Sequence, residues 1–185
     1  WYRDELDTQL FGNFPANIAA IYRFPRTPSG VSSDYNITTG GAIGYFIDGV
    51  ALFDARDAFS YINNLGIDGT PNGNNGRGDG IWNRDAYENE SITFDSANAH
   101  QASDTYHYHA NPPALRYLLD DHVDYNSISN TYSEKITSPA NHSPIIGWVS
   151  DGYPIYGPYG YSDPTDTNSV ITVSYTHLTL PTIAL

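Results

Sequence analysis

The sequence predicts a mainly β protein, an antiparallel sandwich- or barrel-like single domain with one or two short helices. Three observations carry this expectation. Sixteen glycines and 12 prolines interrupt the 185 residues too often for a helical bundle. Between the breaks, runs rich in tyrosine and branched residues favour strands. One stretch, IGYFI-DG-VALFD at 43–54, reads as a hairpin outright. A hydrophobic content of 39% suits one domain able to bury a core.

Taken in order, the opening WYRDELDTQLFGNFPANIAAIYRFPRTPSG mixes apolar runs with glycine and proline breaks, which predicts short extended segments. Asp48-Gly49 predicts a type I′ turn for the hairpin, because both residues tolerate positive φ. RDAFSYINNLG (56–66) predicts a short helix ending at Gly66. The segment DGTPNGNNGRGDG (68–80) can only be a loop. It offers Asp68, Asn72, Asn74 and Asp79 as oxygen donors for Ca²⁺, yet lacks the closing glutamate of an EF-hand loop; a flexible surface loop explains it as well. Pro112-Pro113 predict a helix over ALRYLLDDH with Asn111 as its cap. NHSPIIGWVSDGYPIYGPYGYSDP is one apolar run followed by tight turns, and its tyrosines could line a carbohydrate-binding groove or simply cover the end of the domain. The apolar, uncharged end SYTHLTLPTIAL resembles a translated sequencing-adapter tail. We therefore read 1–173 as the domain, lacking an upstream part, and 174–185 as non-native.

Charge narrows the partners. A formal net charge of −13 with only 8 Lys+Arg gives no basic face for nucleic acid, nor one for an anionic membrane. No stretch approaches the roughly 20 apolar residues of a membrane helix. Without cysteine, disulfides, thiolate metal sites and thiol nucleophiles are all excluded. A serine-hydrolase elbow is absent as well. Cations, small molecules and glycans remain.

DTYHYH (104–109) is the chemically informative stretch. In a strand, residues two apart share a face about 6.5–7 Å apart, so His107 and His109 can lean onto one ion at about 2.0–2.1 Å each. On a helix they would point about 200° apart. The intervening Tyr106 and Tyr108 would then pack the opposite face and hold the strand rigid. Equally, such a pair can be two polar residues facing solvent. His100 precedes across a polar turn, and His142 opens the apolar run of the C-terminal half. Metal ligands are thus sought among His100, His107, His109 and His142, with Glu88 or Asp151 as general base or supporting partner. Zinc and copper are the divalent ions these nitrogen donors suit.

GYFIDGVALFD, DAYENESITFDSANAH leading into DTYHYHANPPAL, and HSPIIGWVSDGYPIYGPYG occur in an order that resembles the YHYH-domain proteins, named for residues 106–109. His100, Tyr106, His107, Tyr108, His109, His142, Asp151 and Gly152 match that family's marked positions. Ala99 stands where the family commonly has glycine before the histidine, and the cysteines often found nearby are absent. The resemblance implies an exported protein: secreted, periplasmic or at the cell surface. Three functions fit. A metal-dependent hydrolase of esters or lactones would use hydroxide generated on a His-bound ion. A copper oxidoreductase or carrier would use the same nitrogens, and a non-enzymatic binding or matrix domain would use the ion only as a staple.

Overall fold

The structure, a computed structural model, describes residues 15–28, 40–70 and 76–173. The suspected tail therefore lies outside the described residues, as do Asn72 and Asn74 of the acidic loop. In chain order the strands are β1 (Ala42–Phe46), β2 (Ala51–Phe53), β3 (Arg56–Ile62), β4 (Ile67–Asp68) and β5 (Asn83–Asp85). The helix α1 (Ala86–Glu90) and a 3₁₀ turn (Ser91–Thr93) follow, then β6 (Ala99–Ala102), β7 (Thr105–Tyr108) and α2 (Pro113–Leu118). The C-terminal half adds β8 (Val123–Asn126), β9 (Thr131–Glu134), β10 (Ile145–Val149), β11 (Pro154–Tyr156), β12 (Tyr159–Tyr161) and β13 (Ile171–Val173).

The expected mainly β fold with two short helices is what forms. Its centre is an open six-stranded sheet in the order β11-β10-β1-β2-β7-β6, with no closed barrel among the described residues; a three-stranded sheet β4-β3-β5 and two hairpins, β8-β9 and β12-β13, complete the strands. Among the described residues every pair is antiparallel except β2 with β7, which run parallel, with Ala51 opposite His107. Parallel neighbours need a long crossover, and here residues 54–104 supply it. No helix of the described residues is long and apolar enough to cross a membrane.

The β1–β2 hairpin forms where expected but with a different turn. Only Gly49 has positive φ (+85°), its N–H donates to the Phe46 carbonyl, and the Phe46 N–H donates to the Val50 carbonyl. This is a three-residue connection closed by a left-handed glycine, not a type I′ turn. The Asp48 carboxylate instead accepts from the Val50 N–H at 3.0 Å. The helix expected over 56–66 is overturned: Arg56–Ile62 is strand β3, whose buried positions are Asp57, Ser60 and Ile62. Ala58, Phe59, Tyr61, Ile62 and Leu65 mimic a helical apolar stripe because two positions facing inward carry polar residues. Gly66 ends the segment as expected, at φ +68°.

The helix α2 stops at Leu118, short of His122, because Asp120 turns left-handed (φ +54°). The Asp120 N–H donates to the Tyr117 carbonyl and the Asp121 N–H to the Arg116 carbonyl, a Schellman closure. Its cap position is Pro112, without a side-chain hydrogen bond, rather than Asn111; Pro113 occupies the first turn. Residues 15–28 contain no strand, and they lie across β1 with the Tyr22 ring stacked 3.6 Å from Tyr45.

The core joins β1, β6, β7 and β10 to α2 through Phe46, Ala99, Tyr108, Leu115 and Ile146. Phe46 meets Tyr108 edge-on at 5.1 Å. A second, polar centre holds the C-terminal half. Fully buried Arg116 reaches the Asp121 carboxylate at 2.7 Å and grips Glu134 through two oxygens, while the Ser143 hydroxyl donates to Asp121 at 2.6 Å. The Tyr159 hydroxyl donates to Glu134 at 2.6 Å, so α2, β9 and β12 converge on one guanidinium.

Candidate metal centre

One position in β7, a second just past its end and a cross-strand partner assemble the centre. The strands β6 and β7 pair antiparallel in a register that sets His100 directly opposite His107. Ser103, at φ +53°, lies in the tight reversal between them. The His100 and His107 rings stand 4.5 Å apart, and His109, just past the end of β7, brings its ring to 4.8 Å from His107. One ligand nitrogen from each of the three lies within 4.8 Å of the others. Tyr106 and Tyr108 face the opposite way. The Tyr106 hydroxyl donates to Asp95, and the Tyr108 hydroxyl to Asp48 at 3.4 Å. Burial first, then these carboxylates, raises both phenol pKa values well above the usual range.

The remaining nitrogens fix the tautomers. His107 Nδ1 lies 3.1 Å from the Thr105 carbonyl and His109 Nδ1 2.8 Å from the Asp54 carbonyl. A carbonyl only accepts, so both Nδ1 atoms carry protons. His100 Nδ1 lies 2.7 Å from the Thr93 hydroxyl, which itself donates to the Glu90 carbonyl at 2.7 Å; the hydroxyl is thereby left to accept. All three rings thus turn their Nε2 atoms inward, and a neutral imidazole has a lone pair there. Yet His107 Nε2 and His109 Nε2 are only 3.0 Å apart. Two facing lone pairs repel, so positive charge belongs between them, as a proton or a metal ion.

A carboxylate stands beside two of the three imidazoles. Glu90 Oε2 lies 3.1 Å from His100 Nε2 and 3.3 Å from His109 Nε2. Atoms bound at about 2.0–2.1 Å around a tetrahedral ion sit about 3.3–3.4 Å from one another, and the two Glu90 spacings and the 3.0 Å between His107 and His109 lie near that value. Burial alone would raise the Glu90 pKa, but hydrogen bonds from His100 and His109, which exist only when a proton rather than a lone pair sits on Nε2, and from Asp57 hold it well below the carboxylate range. Burial also dominates His107, pushing its pKa down to about 3, so its ring is neutral near pH 7. Apolar walls close the site: Phe53 stacks on His107 at 3.8 Å, and Phe94 meets His100 edge-on at 4.9 Å. The histidine side chains are 5% exposed or less against 20% for Glu90, which is therefore the donor nearest to water.

Behind Glu90 stands a buried acid. Asp57 on β3 is hydrogen-bonded to Glu90, and Arg84 Nε donates to its Oδ2 at 2.5 Å. Burial, then Glu90, raises the Asp57 pKa, opposed by Arg84.

The profile of the YHYH protein family matches residues 21–182, most of the chain. The chain belongs to the YHYH protein family. Its eponymous tetrapeptide is the segment just described, with two histidines on the donor face and two tyrosines in or against the core. No curated protein and no solved structure matches the chain.

This YHYH protein brings together His100, His107 and His109 among the residues singled out from sequence, and sets the other three elsewhere. The His142 ring lies between Tyr156 and Tyr161, with Nδ1 2.6 Å from the Ser143 carbonyl. Asp151 is exposed in the β10–β11 turn, its carboxylate 3.5 Å from the Tyr153 N–H. Glu88 is exposed and lines a cavity of about 430 Å³ with Tyr61, Asp68, Trp82 and Arg84; none of the three histidines lines it. Of the acidic loop, Asp79 turns its carboxylate to Asn63, through the backbone N–H at 3.0 Å and the side-chain amide at 2.6 Å.

Sequence reasoning missed Glu90, Thr93, Asp57 and the two phenylalanine walls. A signal for Glu90 existed. Asp85 with Glu88 three residues on is a helix-start pattern, and Asp85 Oδ1 does accept from the Glu88 N–H at 2.9 Å. Within that helix Glu90 lies four residues after fully buried Ala86 and shares its face.

Proposed function

We propose that this YHYH protein is a divalent-metal-binding domain whose ion is held by His100 Nε2, His107 Nε2, His109 Nε2 and the Glu90 carboxylate. The convergence of three imidazoles, each with its Nδ1 proton committed elsewhere, is the observation that carries the reading. Nitrogen and oxygen donors suit Zn²⁺, with Cu²⁺ as the competitor; soft Cu(I) has no sulfur ligand here. With four protein donors the shell is closed, and the ion ties α1 to the β6–β7 hairpin. Its first role is then to stabilise the fold.

Ester or lactone hydrolysis is the second reading. A catalytic ion needs an open position, and Glu90, the most exposed donor, is the one whose departure would provide it. Freed, its carboxylate would stand beside the ion as general base in place of Glu88 or Asp151.

Elemental analysis of protein purified without chelator, beside the His107→Ala/His109→Ala double variant, tests the reading. Near one equivalent of metal in the parent and almost none in the variant is expected. Equal, sub-stoichiometric metal in both would overturn it. Visible absorption separates copper from zinc. Chelation that lowers the melting temperature without abolishing an activity supports the stapling role; esterase activity lost on chelation and restored by one metal supports hydrolysis.

A further inference from the structure

We infer that Thr93 is the positioning residue that aims the His100 ring at the centre, through a hydroxyl shared between that ring and the backbone of Glu90; this rests on the metal-binding reading above. The other two histidines are tied at Nδ1 to main-chain carbonyls, those of Thr105 and Asp54, which any side chain at those positions would leave in place. His100 is tied there by a side chain, with Nδ1 2.7 Å from the Thr93 hydroxyl. It also stands on β6, the last described strand of the six-stranded sheet, so the ladder supports it from β7 alone. A ring on two rotatable bonds needs a second hold to keep Nε2 inward, and an edge strand supplies few.

The chain around Thr93 builds that hold. The helix α1 ends at Glu90, the 3₁₀ turn Ser91–Thr93 follows, and the Thr93 hydroxyl donates back to the Glu90 carbonyl at 2.7 Å. A hydroxyl has one proton and two lone pairs, so donating to Glu90 leaves it able to accept from the imidazole. The same bond fixes the threonine rotamer, because the hydroxyl cannot swing away from the ring without giving up the carbonyl. Phe94 then leaves the turn with its ring edge-on to His100 at 4.9 Å and parallel to His109 at 6.2 Å. A closed loop brings the chain back. The Asp95 N–H donates to the Ala99 carbonyl at 2.8 Å, and the Asp95 carboxylate accepts from the Ala97 and Ala99 N–H groups at 2.9 and 3.2 Å. His100 thereby returns alongside Thr93, and Glu90, Thr93 and Phe94 form one clasp on His100 and His109 within a single short segment.

Zinc affinity of the full chain, measured by competition with a chromophoric chelator, tests this through a double-mutant cycle. Thr93→Val keeps the volume and deletes the hydroxyl. Partners that orient a metal ligand are typically worth about 10–100-fold in affinity, and this variant should lose that much. Thr93→Ser keeps the hydroxyl and should bind zinc much as the parent does. In a His100→Ala background, where His107, His109 and Glu90 remain to bind, Thr93→Val should cost a small part of that loss at most. An equal loss with and without His100 would mean that the hydroxyl acts on the fold alone, and would overturn the inference. So would a Thr93→Val chain that binds as the parent does, or a Thr93→Ser chain that loses as much as Thr93→Val. Should Thr93→Val fail to fold, Thr93→Ala carries the same cycle; failure of both with zinc present would assign the hydroxyl to folding and overturn the inference. A parent that binds no zinc overturns the metal reading itself, which separates the two failures.

Discussion

Glu88 and Glu90 are two residues apart, and the phase of one helical turn decides which reaches the imidazoles. Residues i and i+4 share a helix face, so Glu90 follows buried Ala86 inward while Glu88, about 200° round, meets solvent. On the metal-binding reading proposed above, replacing the inward carboxylate removes a charged ligand. Glu90→Ala should weaken zinc binding by about two orders of magnitude and lower the melting temperature of the zinc-loaded form, whereas Glu88→Ala should leave both unchanged. Calorimetric titration and a thermal melt of each variant check this, and equal effects would remove Glu90 from the ligand set. At this scale the legible residues were those with a spacing rule. His107 and His109 follow the two-residue period of a strand, and His100 needs only a tight reversal to stand opposite. The Glu90 choice hinges on a helix of five residues, too short for periodicity to announce. Phe53 reaches His107 through a parallel pairing made after a crossover of some fifty residues, for which no local pattern exists.

At the scale of elements, β3 and α2 teach opposite lessons. In β3 the inward position Asp57 accepts from Arg84 and the inward position Ser60 binds the neighbouring loop. These polar contacts erase the two-residue apolar pattern of the strand, and a helical stripe remains by coincidence. In α2 the prolines announced the start correctly, but the end depends on Asp120 adopting φ +54°, which aspartate tolerates less readily than glycine or asparagine. That strain is removable. Asp120→Gly should raise stability by about 0.5–1 kcal/mol at the position following the last helical turn, read as a higher urea midpoint. The ion pair that is lost, to Lys135 at 3.4 Å, is largely exposed and worth little. An unchanged or lower midpoint would mean that this pair, or the Asp120 backbone, contributes more than its geometry suggests. Zinc affinity should not change, since α2 supplies no ligand.

For the whole molecule, the buried titratable groups define a pH window. His107 has its pKa pushed down by burial to about 3 from an ordinary 6.5. Between those values the unfolded chain binds a proton that the native chain refuses, so stability falls as pH drops from 6.5 towards 3. The depressed Glu90 adds to the same limb below about pH 4.5, because its native carboxylate also refuses the proton. Tyr106 and Tyr108 act at the other end. Their raised pKa values let the native state keep protons that the unfolded chain releases above about pH 10, so stability falls again as pH rises beyond that point. Chelated protein should therefore show a plateau of urea midpoint between about pH 6.5 and 10, with a decline on each side. His107→Gln, which cannot titrate, should flatten the upper part of the acid limb, worth at most about 5 kcal/mol from the size of the shift, while Tyr106→Phe should shorten the alkaline one. On the metal-binding reading, zinc should steepen the acid side further, because protons would compete with the ion for the same Nε2 lone pairs. Midpoints of the zinc-loaded and chelated forms should thus differ most on the plateau and converge near pH 4. A constant gap across that range would place the stabilising zinc on groups other than these imidazoles.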